Sequence, residues 1–224
     1  MNLTKYGFDN CVGGFFEFAT SDARKILPAH LEPVEIQHER SVMAVLAFQF
    51  TESEVGAYDE LVMAIIVPPR VVEGTALPKA AFFPFMVATS TSESRAHAIE
   101  RWRLPHHMAN IDFAFTESDG KMDLLVSDAG VPVLEMTVTD HDFKDAVNPY
   151  HCFTIGESVG AEGRFKVNIF MEAPHSEHDE ETGSLTLHPH PMTAMLTIDE
   201  VATWPFREEW YRAGEQTFEE LENV

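Results

Sequence analysis

Two adjacent histidines, His106 and His107, have the side chains best suited to proton transfer near neutral pH. An unperturbed imidazole titrates at about pH 6.5, so either ring could exchange a proton, or hold a carboxylate when protonated. The alternative is two hydrogen-bonded structural histidines. Neighbouring residues of an extended segment face opposite sides, so we expect at most one of the two to face a common cavity.

A carboxylate and a phenol lie close together in a second segment, Gly56-Ala-Tyr-Asp-Glu60, just before an apolar run. A carboxylate desolvated among apolar strands has a raised pKa and can act as an acid or a base. The alternatives are that Glu60 is a strand-end carboxylate bonded to backbone amides and that Tyr58 is a core aromatic. Both roles remain open for each residue.

Four cationic residues could bind or attack a carbonyl compound. Arg101 or Arg103 could hold a carboxylate through a bidentate fork. Lys79 begins a predicted strand, and we expect it at the surface. Lys166 alternates with apolar residues and would point into a core only if its strand has that phase, in which case a primary amine would be available for imine chemistry.

Metal binding is a separate possibility, because four histidines lie near a run of acidic residues: His175, His178, His188 and His190. If His188 and His190 lie on one strand, both imidazoles share a face, as a zinc site needs. The alternative is a solvated acidic hairpin tip, and we predict no metal and no cofactor. Cys11 and Cys152 lack the spacing of a zinc or redox motif and are expected to be buried free thiols.

Composition narrows the class of protein and of partner. The chain has 224 residues, 45% of them hydrophobic, which is enough for a large core, and we predict one domain over residues 1–224. A formal charge of -22 argues against nucleic acid as a partner and indicates an acidic surface. Apolar runs are too short to cross a bilayer, and no signal peptide is visible, so we predict no membrane partner and a cytoplasmic location.

The predicted elements are mainly strands. They cover Ser41–Thr51, Leu61–Val67, Ala81–Thr89, Met122–Ser127 and Val131–Thr139, with the turn Asp128-Ala-Gly130 between the last two. A short helix is expected after Thr20, and the spacing of Trp210, Phe218 and Leu221 predicts a second, C-terminal helix. We expect that helix to pack outside the strands and to offer aromatic residues for subunit contacts.

Three segments in this order resemble the acetoacetate decarboxylase family, and the resemblance spans most of the chain. They are Phe18–Ile36, the Gly-x-Tyr-x-Glu turn of residues 56–60, and Glu100-Arg-Trp-Arg-Leu-Pro-His-His107. The last matches a family signature that ends in a lysine pair. In this sequence His106 and His107 occupy the positions of that pair.

The resemblance implies a closed, mostly antiparallel β-barrel of a homo-oligomer, with a lysine that forms a Schiff base with a small keto acid. It also marks Glu60 as the family's acidic residue. Imidazole cannot form a stable iminium, so the imine route is chemically missing at positions 106 and 107. On position, His106 is the ring expected to face the lumen.

We therefore predict a barrel that binds a small keto acid or carboxylate in its lumen, and leave open whether it turns the ligand over. If it is an enzyme, of lyase or enolate proton-transfer type, Glu60 and His106 would carry the chemistry, while His107, Arg101, Arg103 and Tyr58 would bind the substrate. The alternative is a non-enzymatic ligand-binding or assembly protein on the same barrel.

Overall fold

The computed structural model describes residues 3–71, 73–74, 76–108, 110–140, 142–158 and 161–224, with only the backbone described at 157, 158, 161 and 162. In chain order the elements are β1 (Thr4–Ala19), α1 (Thr20–Ile26), β2 (Glu35–Gln37), β3 (Arg40–Glu52), β4 (Tyr58–Ile66), β5 (Ala80–Thr89), α2 (Ser92–Trp102), β6 (Ile111–Ser118), β7 (Lys121–Asp128), β8 (Val131–Thr139), β9 (Lys144–Ser158), β10 (Ala161–His178), β11 (Ser184–Leu187), a 3-10 turn (Ile198–Glu200), β12 (Arg207–Phe218) and β13 (Glu222–Asn223).

Seven strands close into a barrel, which confirms the predicted fold class. The order around the barrel is β1, β12, β10, β9, β5, β4 and β3, and β1 pairs with β3 to close it. All neighbouring pairs are antiparallel except β5 and β9, which run parallel over a short stretch from Ala80 to Phe82. Closure gives every barrel strand a partner strand on both sides.

A smaller sheet of four strands, in the order β11, β8, β7, β6, packs against the outside of the barrel. The barrel strands therefore have two buried faces. On β4, Leu61, Met63 and Ile65 pack in the core shared with the small sheet, whereas Tyr58 and Val62 pack in the lumen. This double burial explains why the sequence shows a continuous apolar run there rather than alternation with polar residues.

The predicted short helix and the predicted strands are present, with boundaries shifted by a few residues. The Asp128-Ala-Gly130 hairpin is also confirmed. Ala129 and Gly130 have φ values of 50° and 79°, as a turn of type I′ requires at its two central residues.

The predicted C-terminal helix is wrong, because the segment forms β12. Glu209 and Tyr211 face the lumen before Ala213, and Gln216 and Phe218 face it afterwards. The change of phase coincides with a φ of 44° at Ala213 and with a register shift in the partner strand β10. Such a bulge interrupts the period of two, so the apolar spacing resembles that of a helix. Of the three aromatic residues considered for subunit contacts, Trp210 and Tyr211 are buried within the chain, whereas Trp204 is 60% exposed.

One further prediction needs correction, and one helix was missed. The segment from His175 to Gly183 is not a hairpin tip, because β10 continues to His178 and the chain then crosses to β11 in the other sheet. Helix α2 was not predicted; Thr91 caps it by accepting a hydrogen bond from the Ser94 amide at 3.1 Å. No helix in the described part of the chain has the length and apolarity to cross a bilayer.

Candidate functional site

The barrel lumen contains a narrow cavity of about 80 Å³. Its described wall is mostly apolar, with Leu46, Phe48, Val62, Phe82, Pro84, Ala98, Trp102, Leu104, Ile169, Met171 and Phe218. The polar and titratable members are Tyr6, Cys11, Tyr58, Glu60, Tyr150, Cys152, Glu209, Tyr211 and Gln216. A concave, apolar site with a few convergent polar groups is the usual form of a small-molecule site.

Glu60 is a buried carboxyl group of the wall with a strongly raised pKa. Its side chain points from β4 into the lumen and the residue is only 8% exposed. Burial raises the pKa of Glu60 from an ordinary value of 4.5 to about 8. No hydrogen bond or ion pair to this carboxyl group occurs among the described residues, so desolvation has no local compensation. The group is mostly protonated at neutral pH.

Tyr58 lies two residues before Glu60 on β4, so the two side chains leave the strand on the same face. Burial, with Glu60 adding to it, raises the pKa of the Tyr58 hydroxyl far above its ordinary range. The phenol therefore remains a neutral hydrogen-bond donor at physiological pH. The structure thus brings together the two residues of the Gly-x-Tyr-x-Glu turn that the sequence marked.

A second polar group of the wall is a directed hydrogen-bond chain that ends on Glu209. Asn148 donates to the Tyr211 hydroxyl at 2.6 Å, the Tyr211 and Tyr150 hydroxyls are 2.5 Å apart, and Tyr150 donates to Glu209 Oε2 at 3.2 Å. Since the Tyr150 proton goes to Glu209, the Tyr211 proton goes to Tyr150. Burial raises the pKa of Glu209, while the Lys79 ammonium opposes that shift.

Lys79 lies behind this chain and is less exposed than a surface lysine, with 19% of its side chain accessible. Its ammonium group contacts Glu209 Oε1 at 3.2 Å and also pairs with Glu177. The oxygen atoms of Glu177 and Glu209 could, with His175, also hold a metal ion. In this structure the ammonium group of Lys79 already provides the positive charge there.

His106 and His107 are not among the cavity-lining residues. They follow the end of α2, where Arg103 takes a left-handed conformation and His106 then bridges to Val87 of β5. Burial, followed by the charge of Arg95, lowers the pKa of His106 to about 4. Neither ring nitrogen of His106 has a hydrogen-bond partner within the described residues. The ring is therefore neutral and away from the wall, in contrast to the lumen-facing position predicted for it.

His107 instead joins Asp128 and His190, which connects the segment after α2, the end of β7 and the loop after β11. His107 Nε2 and His190 Nε2 lie 2.9 Å and 3.3 Å from Asp128 Oδ2. These three residues could hold a metal ion by their spacing. However, His190 Nδ1 accepts a hydrogen bond from the Met192 amide at 3.2 Å, so Nε2 carries the proton and donates to Asp128. The cluster as it stands is a hydrogen-bonded bridge.

His188 and His190 do not form the pair that a zinc site would need. β11 ends at Leu187, and the two rings that follow it contact different carboxylates: His188 lies 3.0 Å from Glu135, and His190 contacts Asp128. The condition for a zinc site, that both rings share one strand face, is therefore not met by His188 and His190.

Neither predicted carboxylate-binding arginine lines the lumen. The Arg101 guanidinium lies 4.8 Å from the centre of the Trp102 ring and donates to Thr4 at 3.4 Å. Arg103 lies along β9 against Gly156 and lines a second cavity, which shares Pro84 and Leu104 with the lumen cavity. A Cβ atom at position 156 would come within 3.1 Å of the Arg103 side chain.

Lys166 faces away from the lumen and pairs with Glu222 at 3.3 Å. Its neighbours Val167 and Ile169 belong to the lumen core, so the phase of β10 excludes an inward Lys166. Cys11 and Cys152 are buried free thiols, as predicted.

The sequence reasoning missed Tyr150, Glu209 and Tyr211, which form the second polar group of the wall. Glu209 and Tyr211 lie in the segment for which the sequence predicts a C-terminal helix that packs outside the strands. An alternating pattern over Glu209 and Tyr211 before the bulge is the signal that would have placed both in a strand.

The family model for acetoacetate decarboxylase matches residues 6–203. No significant match was found among curated protein sequences. An acetoacetate decarboxylase from Legionella pneumophila subsp. pneumophila str. Philadelphia 1 has a similar structure, with a TM-score of 0.70 and 16% identity, covering 98% of this chain and 86% of the other.

Two further solved structures share the fold. An acetoacetate decarboxylase-like enzyme from Sphingomonas wittichii RW1 has a TM-score of 0.66 at 14% identity, covering 99% of this chain and 92% of the other. The enduracididine biosynthesis enzyme MppR, complexed with pyruvate, has a TM-score of 0.61 at 13% identity, covering 100% and 91%. With the family model matching most of its length, the chain belongs to the acetoacetate decarboxylase family.

Proposed function

We propose that the protein binds a small carbonyl compound in the barrel lumen and exchanges a proton at the carbon next to the carbonyl, with Glu60 as the acid and base. The observation that carries this proposal is the buried, unpaired carboxyl group of Glu60, whose pKa is raised to about 8. General acid-base catalysis is most efficient when the pKa of the group lies near the working pH.

Tyr58 and Glu60 of β4 have different roles in this reaction. The Tyr58 hydroxyl donates a hydrogen bond to the carbonyl oxygen of the ligand. The ionised Glu60 takes a proton from the adjacent carbon, and the electron pair of that bond moves to give an enolate whose oxygen Tyr58 stabilises. Return of the proton from Glu60 restores the ketone. A preorganised donor aimed at the developing oxyanion is worth about 10²-fold to 10³-fold in rate.

This route needs no lysine. Lys79 is paired with two carboxylates, and Lys166 lies outside the lumen, so neither amine is directed at a ligand in the cavity. His106, predicted to share the proton transfer, has no role in the proposal because it is absent from the wall.

The test is exchange of the protons next to the carbonyl in D₂O, followed by NMR on 5-methyl-2-hexanone and on 4-oxopentanoate. We expect the protein to accelerate exchange of at least one of them and Glu60→Gln to lose about 10²-fold or more of that rate. The matched control is Asp59→Asn, whose carboxyl group also has a pKa raised by burial but sits on the opposite face of β4.

Retention of the rate in Glu60→Gln, or exchange no faster than in buffer, would refute proton transfer by Glu60. If the ligand binds without exchange, the barrel serves as a binding protein, which is the alternative function.

A further inference from the structure

The charges of the cavity wall bear on which carbonyl compounds can enter it. Among the described wall residues none is Lys, Arg or His, while two, Glu60 and Glu209, are acidic. A carboxylate moved from water into an apolar cavity needs an opposite charge or several donors to replace its hydration. The described wall supplies no opposite charge.

The basic groups that contact wall residues are already engaged. His97, which contacts Tyr6, lies 3.4 Å from Glu54. Lys79 pairs with Glu209 and Glu177, and Glu177 is shared with Arg207 at 3.2 Å. Arg101 and Arg103, the expected carboxylate ligands, lie outside the wall.

The hydroxyl protons of the wall are also largely committed. Those of Tyr150 and Tyr211 point along the chain that ends on Glu209. Tyr6 accepts from Trp102 at 3.0 Å and lies 2.7 Å from His97 Nε2. Tyr58 and the side-chain amide of Gln216 remain as donors, and both are uncharged. Uncharged donors suit a carbonyl oxygen better than a carboxylate, whose charge they leave without a counter-charge.

We infer that the lumen selects a neutral carbonyl compound with an apolar body, such as a ketone, aldehyde or ester, over a keto acid. The inference rests on the proposed function and names the class of its ligand. An anion would also stand beside Glu60 when that group ionises to act as a base, and like charges in a low-dielectric cavity repel each other. A neutral ketone leaves Glu60 free to ionise.

The test compares two ligands of nearly the same shape. 4-Oxopentanoate and 5-methyl-2-hexanone differ in that an isopropyl group replaces the carboxylate. Ligand-observed NMR titration at neutral pH should give a Kd for the ketone at least tenfold below that for the keto acid. Equal or tighter binding of the keto acid would overturn the inference and leave the proposed function standing. Binding of neither ligand would remove both.

Added charge supplies the reciprocal test. Gln216→Lys places a cation in the wall. Glu209→Gln replaces a carboxylate with an uncharged amide of similar shape. Each should tighten binding of 4-oxopentanoate relative to the ketone, by about tenfold for the lysine variant. Lys166→Gln, which removes a cation outside the lumen, should leave the ratio of the two Kd values unchanged. A ratio that neither lumen variant moves would show that the missing counter-charge is not the cause.

Discussion

Glu60 illustrates how a single buried carboxyl group can couple stability to chemistry. In the unfolded chain it ionises near its ordinary pKa of 4.5, whereas in the folded protein it keeps its proton until about pH 8. Folding therefore favours proton binding at this site, so its contribution to stability falls as the pH rises through that window and is least above pH 8. The same perturbation places the group where it can exchange protons at neutral pH.

Glu60→Gln should therefore become progressively more stable relative to the natural protein as the pH rises from about 5 to about 8, by up to about 1.4 kcal/mol per pH unit. The neighbouring groups Tyr6, Tyr58 and Cys152 stay neutral over that range, because burial raises the pKa of each. Urea unfolding of both proteins at each pH measures the difference. A gap that does not change with pH would mean that Glu60 ionises equally in the folded and unfolded states.

At the scale of the elements, β4 positions the chemistry and was predictable in part. Its apolar run indicated a strand from Leu61, and the sequence placed Tyr58 and Glu60 in a turn before it. The strand in fact begins at Tyr58, which puts both side chains on one face. β12 could not be predicted from the sequence, because the bulge at Ala213 breaks the alternation that identifies a strand. The contacts of His106 and His107 could not be predicted from the sequence either, since they depend on α2 and on how the following loop crosses β5.

The β7–β8 hairpin carries strain that a substitution can relieve. Ala129 has a φ of 50°, a left-handed conformation that disfavours a Cβ-bearing residue other than Asn or Asp. Ala129→Asn should stabilise the protein by about 0.5–1 kcal/mol, measured by chemical denaturation. Ala57→Asn, at an exposed turn residue without positive φ, is the matched control and should change stability little. A loss of stability in Ala129→Asn would contradict the conformational argument.

At the scale of the whole molecule, the formal net charge of -22 produces long-range repulsion between acidic groups. Acidic groups repel each other more strongly in the folded state, where they are closer together. The screening length falls from about 30 Å at 0.01 M salt to about 10 Å at 0.1 M, so most of this repulsion disappears over that range. An acidic surface, a cytoplasmic location and a homo-oligomer remain predictions at this scale.

The melting temperature should accordingly rise by several degrees as potassium chloride increases, with most of the gain at low concentration. Differential scanning calorimetry over a salt series measures it. A steady rise that continues at molar salt would point to ion exclusion, and a flat curve would contradict a destabilising surface charge.

The pKa of Glu60 can be measured directly by carbon-13 NMR of its side-chain carboxyl carbon, assigned by comparison with Glu60→Gln. This titration tests the proposed acid-base role most directly. The predicted midpoint is near pH 8, set by desolvation in the lumen. A midpoint near the ordinary value of 4.5 would show that water or a partner compensates the buried charge. Glu60 would then be ionised at neutral pH, and the proposed acid-base role would lose its physical basis.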